Sequence, residues 1–178
     1  MRSPVASLKP MKRIDLEKGL SAYQCAESGG VFLPIASYFQ WLSRQPGRLP
    51  HLPSSDGQRE ELINDTKAVK ICPESGQIMQ RYQVGNKFAF SLDRSPSGSI
   101  WFDKGEWEKL KSRQFHDELH LIFTAQWQAK VRKDEVASIE QNLLVSKLGE
   151  EFLSEIDSIK GKLAGHPHRD LAMAYLQR

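Results

Sequence analysis

The chain has 178 residues, with 25 Lys and Arg against 22 Asp and Glu, and a formal net charge of +3. That length suits one ordinary domain or two small modules with a helical tail, and the weak positive charge permits contact with nucleic acid without demanding it. No run of about 20 apolar residues is present and no apolar stretch follows Arg2, Lys9 and Lys12, so neither a membrane span nor a signal peptide is expected. Two cysteines allow at most one disulfide, and a reducing, cytoplasmic setting with both thiols free is the expectation.

In chain order, the first twenty residues alternate apolar and basic character, and Ile14–Glu17 reads as a short strand. Cys25-Ala-Glu-Ser28-Gly29-Gly30 then forms a turn, followed by an apolar strand through Val31, Phe32 and Leu33. From Pro34 the period becomes helical, with Ile35, Tyr38, Phe39 and Leu42 on one face. Residues 46–57, with Pro46, Pro50 and Pro53, read as a stiff linker that closes an N-terminal module spanning 1–45.

A second module is expected over 58–114. Ala68–Ile71 reads as a strand running into the turn Cys72-Pro-Glu-Ser75-Gly76. Ile78–Val84 and Lys87–Leu92 read as a hairpin around Gly85-Asn86. A third turn, Ser95-Pro-Ser97-Gly98, precedes Ile100-Trp101-Phe102. Asp103 and Glu106 have capping-box spacing for a helix that buries Trp107 and Leu110. Residues 115–178 are expected to be helical, although Leu121, Phe123, Ala125 and Trp127 also alternate at strand period. Gly149 divides the long apolar repeat, Gly165 ends it, and Pro167 opens a last helix.

The three turns resemble metal-binding knuckles of the form Cys-x-x-Cys-Gly. Together with Trp101, Asp103, Gly105, Glu106, Trp107 and Leu110, they make the segment from Ile71 to Arg113 similar to the bacterial TFIIB-type zinc finger. The family's later half reads Cys-Pro-x-Cys-Gly-Gly-x-Trp-Leu-Asp-x-Gly-Glu-Leu-Glu-x-Leu, and Ala22–Arg44 looks like a looser second copy of it. The resemblance implies an α+β fold of two zinc-ribbon-like β modules, each followed by a helix, with a C-terminal helical region. It also implies structural roles for Trp101, Asp103, Gly105, Glu106 and Trp107.

The ligand set is not carried over. Cys72 keeps one of four thiolate positions in the second module, and serine hydroxyls stand at others. A serine hydroxyl is no ordinary zinc ligand, so no cofactor is expected. Any metal would fall to Cys25 and Cys72, whose plainer role is that of small buried side chains. Hydroxyl and amide hydrogen bonds are expected to hold the turns where a cation would.

Other candidates are weaker. His116 and His120 have one-turn spacing with Asp117 and Glu118 as nearby oxygen ligands, but the run is not His-Glu-x-x-His, no other ligand is evident, and a solvated or capping role is the plainer one. Lys109, Lys111, Arg113, Lys130 and Arg132, with aromatics at Tyr82, Phe88 and Phe90, could track a nucleic-acid backbone. The same lysines also alternate with glutamates, as on a solvated helix face. No nucleophile–base set or phosphate-binding loop is visible. The expected function is therefore a non-enzymatic binding or adaptor role, associated with nucleic acid or transcription. The alternatives are protein–protein interaction or self-association through the C-terminal helices, and an enzyme whose residues the sequence does not isolate.

Overall fold

The computed structural model describes residues 1–5, 9–46, 66–85 and 88–177. These form two compact units, Met1–Val131 and Arg132–Arg178. The expected 46–57 linker lies outside the described residues apart from Pro46, as does Asn86 of the expected hairpin turn.

The first unit is built on a six-stranded antiparallel sheet of order β1-β2-β3-β6-β5-β4. Its strands are β1 (Met11–Glu17), β2 (Leu20–Cys25), β3 (Val31–Leu33), β4 (Gln80–Gln83), β5 (Ser91–Arg94) and β6 (Ile100–Phe102). Helices α1 (Ile35–Leu42) and α2 (Glu106–Ser112) follow β3 and β6. After them come α3 (Leu119–Ile122) and the start of α4 (Ala125–Leu148). The rest of α4, α5 (Glu150–Ala164) and α6 (Arg169–Leu176) make the second unit.

The two halves of the sheet repeat one plan: a turn closed by an isolated bridge, a hairpin, a second turn, a short strand and a helix. Arg2↔Pro10 and Ile71↔Ile78 are the two bridges. The halves do not stand as separate modules, because β3 pairs with β6 at Val31↔Phe102, Phe32↔Trp101 and Leu33↔Ile100. This joining makes β3 and β6 central, and all six of their residues are buried. Central strands with both faces covered read as continuous apolar runs, and these two do.

Side-chain alternation sorts the sheet into two faces. On one, Leu20, Ala22, Val31, Leu33, Leu92, Ile100 and Phe102 pack with Tyr38 and Trp41 of α1 and Trp107 and Leu110 of α2. Phe115, Leu119 and Ile122 close this core. On the other face a smaller cluster joins Met11, Cys25, Phe32, Cys72, Met79 and Trp101.

Several expectations shift in detail. The run expected as a strand at Ala68–Ile71 contributes only the bridge at Ile71. The hairpin strand expected over Lys87–Leu92 is instead Ser91–Arg94, and Phe88 and Phe90 are buried in an irregular approach. Their rings, 5.3 Å apart edge to face, are held by packing rather than by a ladder. The ambiguous His120–Gln128 segment is helical but broken between α3 and α4 at Phe123 and Thr124. Gly149, with φ +82°, separates α4 from α5 as expected.

Candidate functional site

The second face of the sheet collects the residues that the sequence singles out. Three turns there share a hydrogen-bond pattern. Cys25 N–H donates to the Gly30 carbonyl (2.9 Å) and Gly29 N–H back to Cys25 (2.9 Å); Cys72 donates to Gln77 (2.8 Å) and Gly76 back to Cys72 (2.9 Å). In the third, Ser95 donates to Ser99 (2.8 Å) and Gly98 to Ser95 (2.9 Å), a turn tighter by one residue. Gly29, Gly76 and Gly98 all have positive φ, a conformation glycine adopts at no steric cost. A fourth turn, unseen in the sequence reading, begins at Ser3, whose N–H donates to Lys9 (2.7 Å). Its Ser3-Pro4 stands where Cys72-Pro73 stands in the second half.

Each cysteine thus faces hydroxyls from both turns of its half. The Ser28 N–H donates to the Cys25 sulfur at 3.5 Å, and the Ser28 and Ser3 side chains lower the Cys25 pKa as Ser75 and Ser95 lower that of Cys72. Burial, the largest single influence on both thiols, raises their pKa values, but the hydroxyl and amide donors together outweigh it and leave both thiols below the usual range. Around them Ser95 and Ser97 hydroxyls lie 2.7 Å apart, Ser28 Oγ accepts from Gly30 N–H at 3.2 Å, and Ser75 Oγ from Gln77 N–H at 3.4 Å. The Ser99 hydroxyl donates to Glu74 Oε2 at 2.7 Å, tying the last turn to the Cys72 turn. Both cysteines are buried and free, and among the described residues no group of three or more His, Cys, Asp or Glu is placed to hold a metal ion.

Beside the turns lies a buried ionic cluster that sequence reasoning missed. Lys70 is 1% exposed, and its ammonium reaches Asp93 Oδ2 at 2.5 Å, the Thr66 carbonyl at 3.1 Å and Asp103 Oδ2 at 3.4 Å. Asp103 also accepts from the Trp101 indole at 2.7 Å and from the Thr66 amide and hydroxyl at 2.8 and 2.7 Å. Burial pushes the Asp93 carboxyl above its usual range, against the pull of Lys70. A buried charge persists only when paired and hydrogen-bonded, and here each member has several partners. A lysine two residues before a cysteine turn gave no signal, because its partners lie 23 and 33 residues away.

Asp103 is therefore not the cap that its spacing with Glu106 predicts. Half of the capping box forms, with the Asp103 N–H donating to Glu106 Oε2 at 2.8 Å. The Asp103 carboxylate is turned instead to Trp101, Thr66 and Lys70, and Gly105 occupies the N-cap position. Trp101, wholly buried, leans on Gly30, where a Cβ would lie 2.2 Å from its ring. Trp107 sits on the opposite face against Phe102, ring centroids 5.6 Å apart.

The basic residues named from the sequence differ in their surroundings. Lys111 pairs with Glu17 at 2.5 Å beside a polar cleft of about 520 Å³ that also holds Trp41 and His116. The Arg113 guanidinium lies 4.5 Å over the Phe88 ring. Lys109 is half-buried, and Lys130 and Arg132 are exposed on α4. Phe88 and Phe90, candidates for base stacking, belong to the core, and Tyr82 packs edge-on against Phe123. His116 meets the rings of Trp41 and Trp107, while His120 Nδ1 lies 3.4 Å from the Tyr38 hydroxyl, so the two histidines line the aromatic core. No protein-family model, curated protein or solved structure matches the chain. No helix among the described residues is long and apolar enough to cross a membrane.

Proposed function

We infer that this chain is a non-enzymatic adaptor. In this reading the sheet unit is a rigid base made of two degenerate zinc ribbons, and the helices α4–α6 are the surface that docks on protein. The observation that carries it is the exposure of large apolar side chains in the second unit. Val136, Ile139, Leu143, Phe152, Leu171 and Tyr175 all face solvent. Contiguous exposed apolar side chains rimmed by polar ones mark interaction surfaces.

The sheet unit supports the base role. Its Cys25 and Cys72 turns repeat one hydrogen-bond geometry and the Ser95 turn a tighter version of it, and hydroxyls, amides and the Lys70 cluster supply the cohesion that thiolates and a cation give a zinc ribbon. The free thiols suit a reducing compartment such as the cytoplasm, and no cofactor belongs to the reading. Nucleic acid draws less support, since Lys111 is spent on Glu17, Arg113 on Phe88, and the stacking aromatics on the core.

The test is retention of polypeptides by the full chain, bearing an affinity tag, compared with its Phe152→Lys/Ile159→Lys variant. Specific retention by the wild type, lost in the variant, is expected. Equal retention by both, or salt-sensitive DNA or RNA binding that both share, would overturn the docking role. Stoichiometric zinc in protein purified without chelators would overturn the metal-free ribbons.

A further inference from the structure

We propose that the docking partner of α5 is α5 of a second copy of this chain, packed antiparallel about a two-fold axis near Asp157 and Ser158. The inference rests on the adaptor reading and narrows it to one occupant.

The second unit cannot supply its own core. Among its described residues Leu153 is the one buried apolar side chain, while Phe152 is 53% and Ile159 47% exposed. Helices gain most of their stability in proteins from packing an apolar face. A helical segment with so little of that face covered requires a partner.

The pattern along α5 says which partner. Phe152, Ile156, Ile159 and Leu163 recur at intervals of four, three and four, the stripe of a coiled-coil seam. Reversed about its midpoint, this stripe maps onto itself: Phe152 falls opposite Leu163 of the other copy, and Ile156 opposite Ile159. The flanking charges obey the same reversal. Glu150, Glu151, Glu155 and Asp157 fill the first half of α5, and Lys160 and Lys162 the second. Antiparallel pairing sets Glu155 beside Lys162 of the other copy, and Lys162 beside its Glu155. Parallel pairing would serve only half of these charges: Glu155 would meet Lys160 of the other copy, five positions on, while Lys162 would face Pro167 beyond the end of α5. A surface complementary to itself under a two-fold rotation is what an isologous dimer uses.

A helix of 15 residues offers a short seam, and α6 widens it. Between α5 and α6 lies an apolar groove of about 660 Å³, lined by Ile159, Leu163, Leu171 and Tyr175 among others. The Phe152 ring of the second copy, opposite Leu163, enters this groove. The result is a four-helix arrangement of two α5–α6 pairs.

The experiment is sedimentation equilibrium of the full chain up to roughly 10⁻⁴ M, a range that populates even micromolar dimers. Wild type is expected to dimerise and Ile159→Asp to be monomeric. Glu155→Lys and Lys162→Glu, both at exposed positions, each place like charges across the seam and are expected to weaken the dimer by about tenfold. The double variant Glu155→Lys/Lys162→Glu restores the pairs and is expected to regain wild-type affinity. Helical circular dichroism of every variant confirms folding. A monomeric wild type, or a dimer indifferent to both single reversals, overturns the proposal. A monomeric wild type that still retains another polypeptide through Phe152 and Ile159 sinks the self-pairing and leaves the adaptor reading intact.

Discussion

The two units of this chain dispose of apolar side chains in opposite ways. In the sheet unit both faces of β3 and β6 are covered, and three of the four tryptophans are buried. In the helical unit large aliphatic and aromatic side chains face outward, and Leu153 stands alone as a buried one among the described residues. A sheet covered on both sides closes its own core, whereas helices joined end to end at Gly149 leave stripes that another surface must cover. The contrast places the closed apolar core in the first unit and the uncovered apolar side chains in the second.

The strongest way to break the contrast is to attack Trp101. Trp101→Ala removes the largest wholly buried side chain and the indole donor to Asp103. It is expected to cost about 3–5 kcal/mol in denaturant unfolding of the sheet unit. Lys70→Met comes next. It leaves Asp93 and Asp103 buried without their cation, at an expected cost of about 3 kcal/mol or more. The triple variant Lys70→Met/Asp93→Leu/Asp103→Asn, which removes the stranded charges too, is expected to recover part of that loss. Equal losses in the single and triple variants would show that the cluster matters through shape rather than charge.

Gly30→Ala sharpens the picture at one atom. Its Cβ would press on the Trp101 ring, and overpacking of this kind costs about 1–3 kcal/mol. On the helical side, Ile159→Asp is expected to change sheet-unit unfolding by less than about 0.5 kcal/mol, the range of surface substitutions, while abolishing association. A large loss of sheet stability in that variant would erase the division of labour.

The smallest expected effect is a pH dependence. Burial holds the folded-state pKa of Asp93 above its ordinary value of 3.8. Its contribution is therefore fully present below 3.8 and is lost as pH rises through the higher folded value. Stability of wild type relative to Asp93→Asn, measured by urea unfolding, is expected to fall as pH rises above 3.8 and then level. A rise over that window would mean that Lys70 outweighs burial.

Much of this was legible in the chain because it is local. The turns at Cys25, Cys72 and Ser95, the break at Gly149 and the α5 stripe depend on residues within a few positions of one another, where glycine freedom and side-chain period act directly. What only the tertiary structure decided depends on distant residues meeting. The union of two apparent modules into one sheet follows from β3 pairing with β6 across some seventy residues of chain. The burial of Lys70 follows from carboxylates that β5 and the end of β6 bring to it, and the Asp103 side chain turns to that cluster because the buried ammonium needs a carboxylate, while the Glu106 amide is already bonded to the Asp103 carbonyl. The Ser3 turn depends on the same kind of meeting: it carries no thiol, and its place beside Cys25 comes only from the folded sheet.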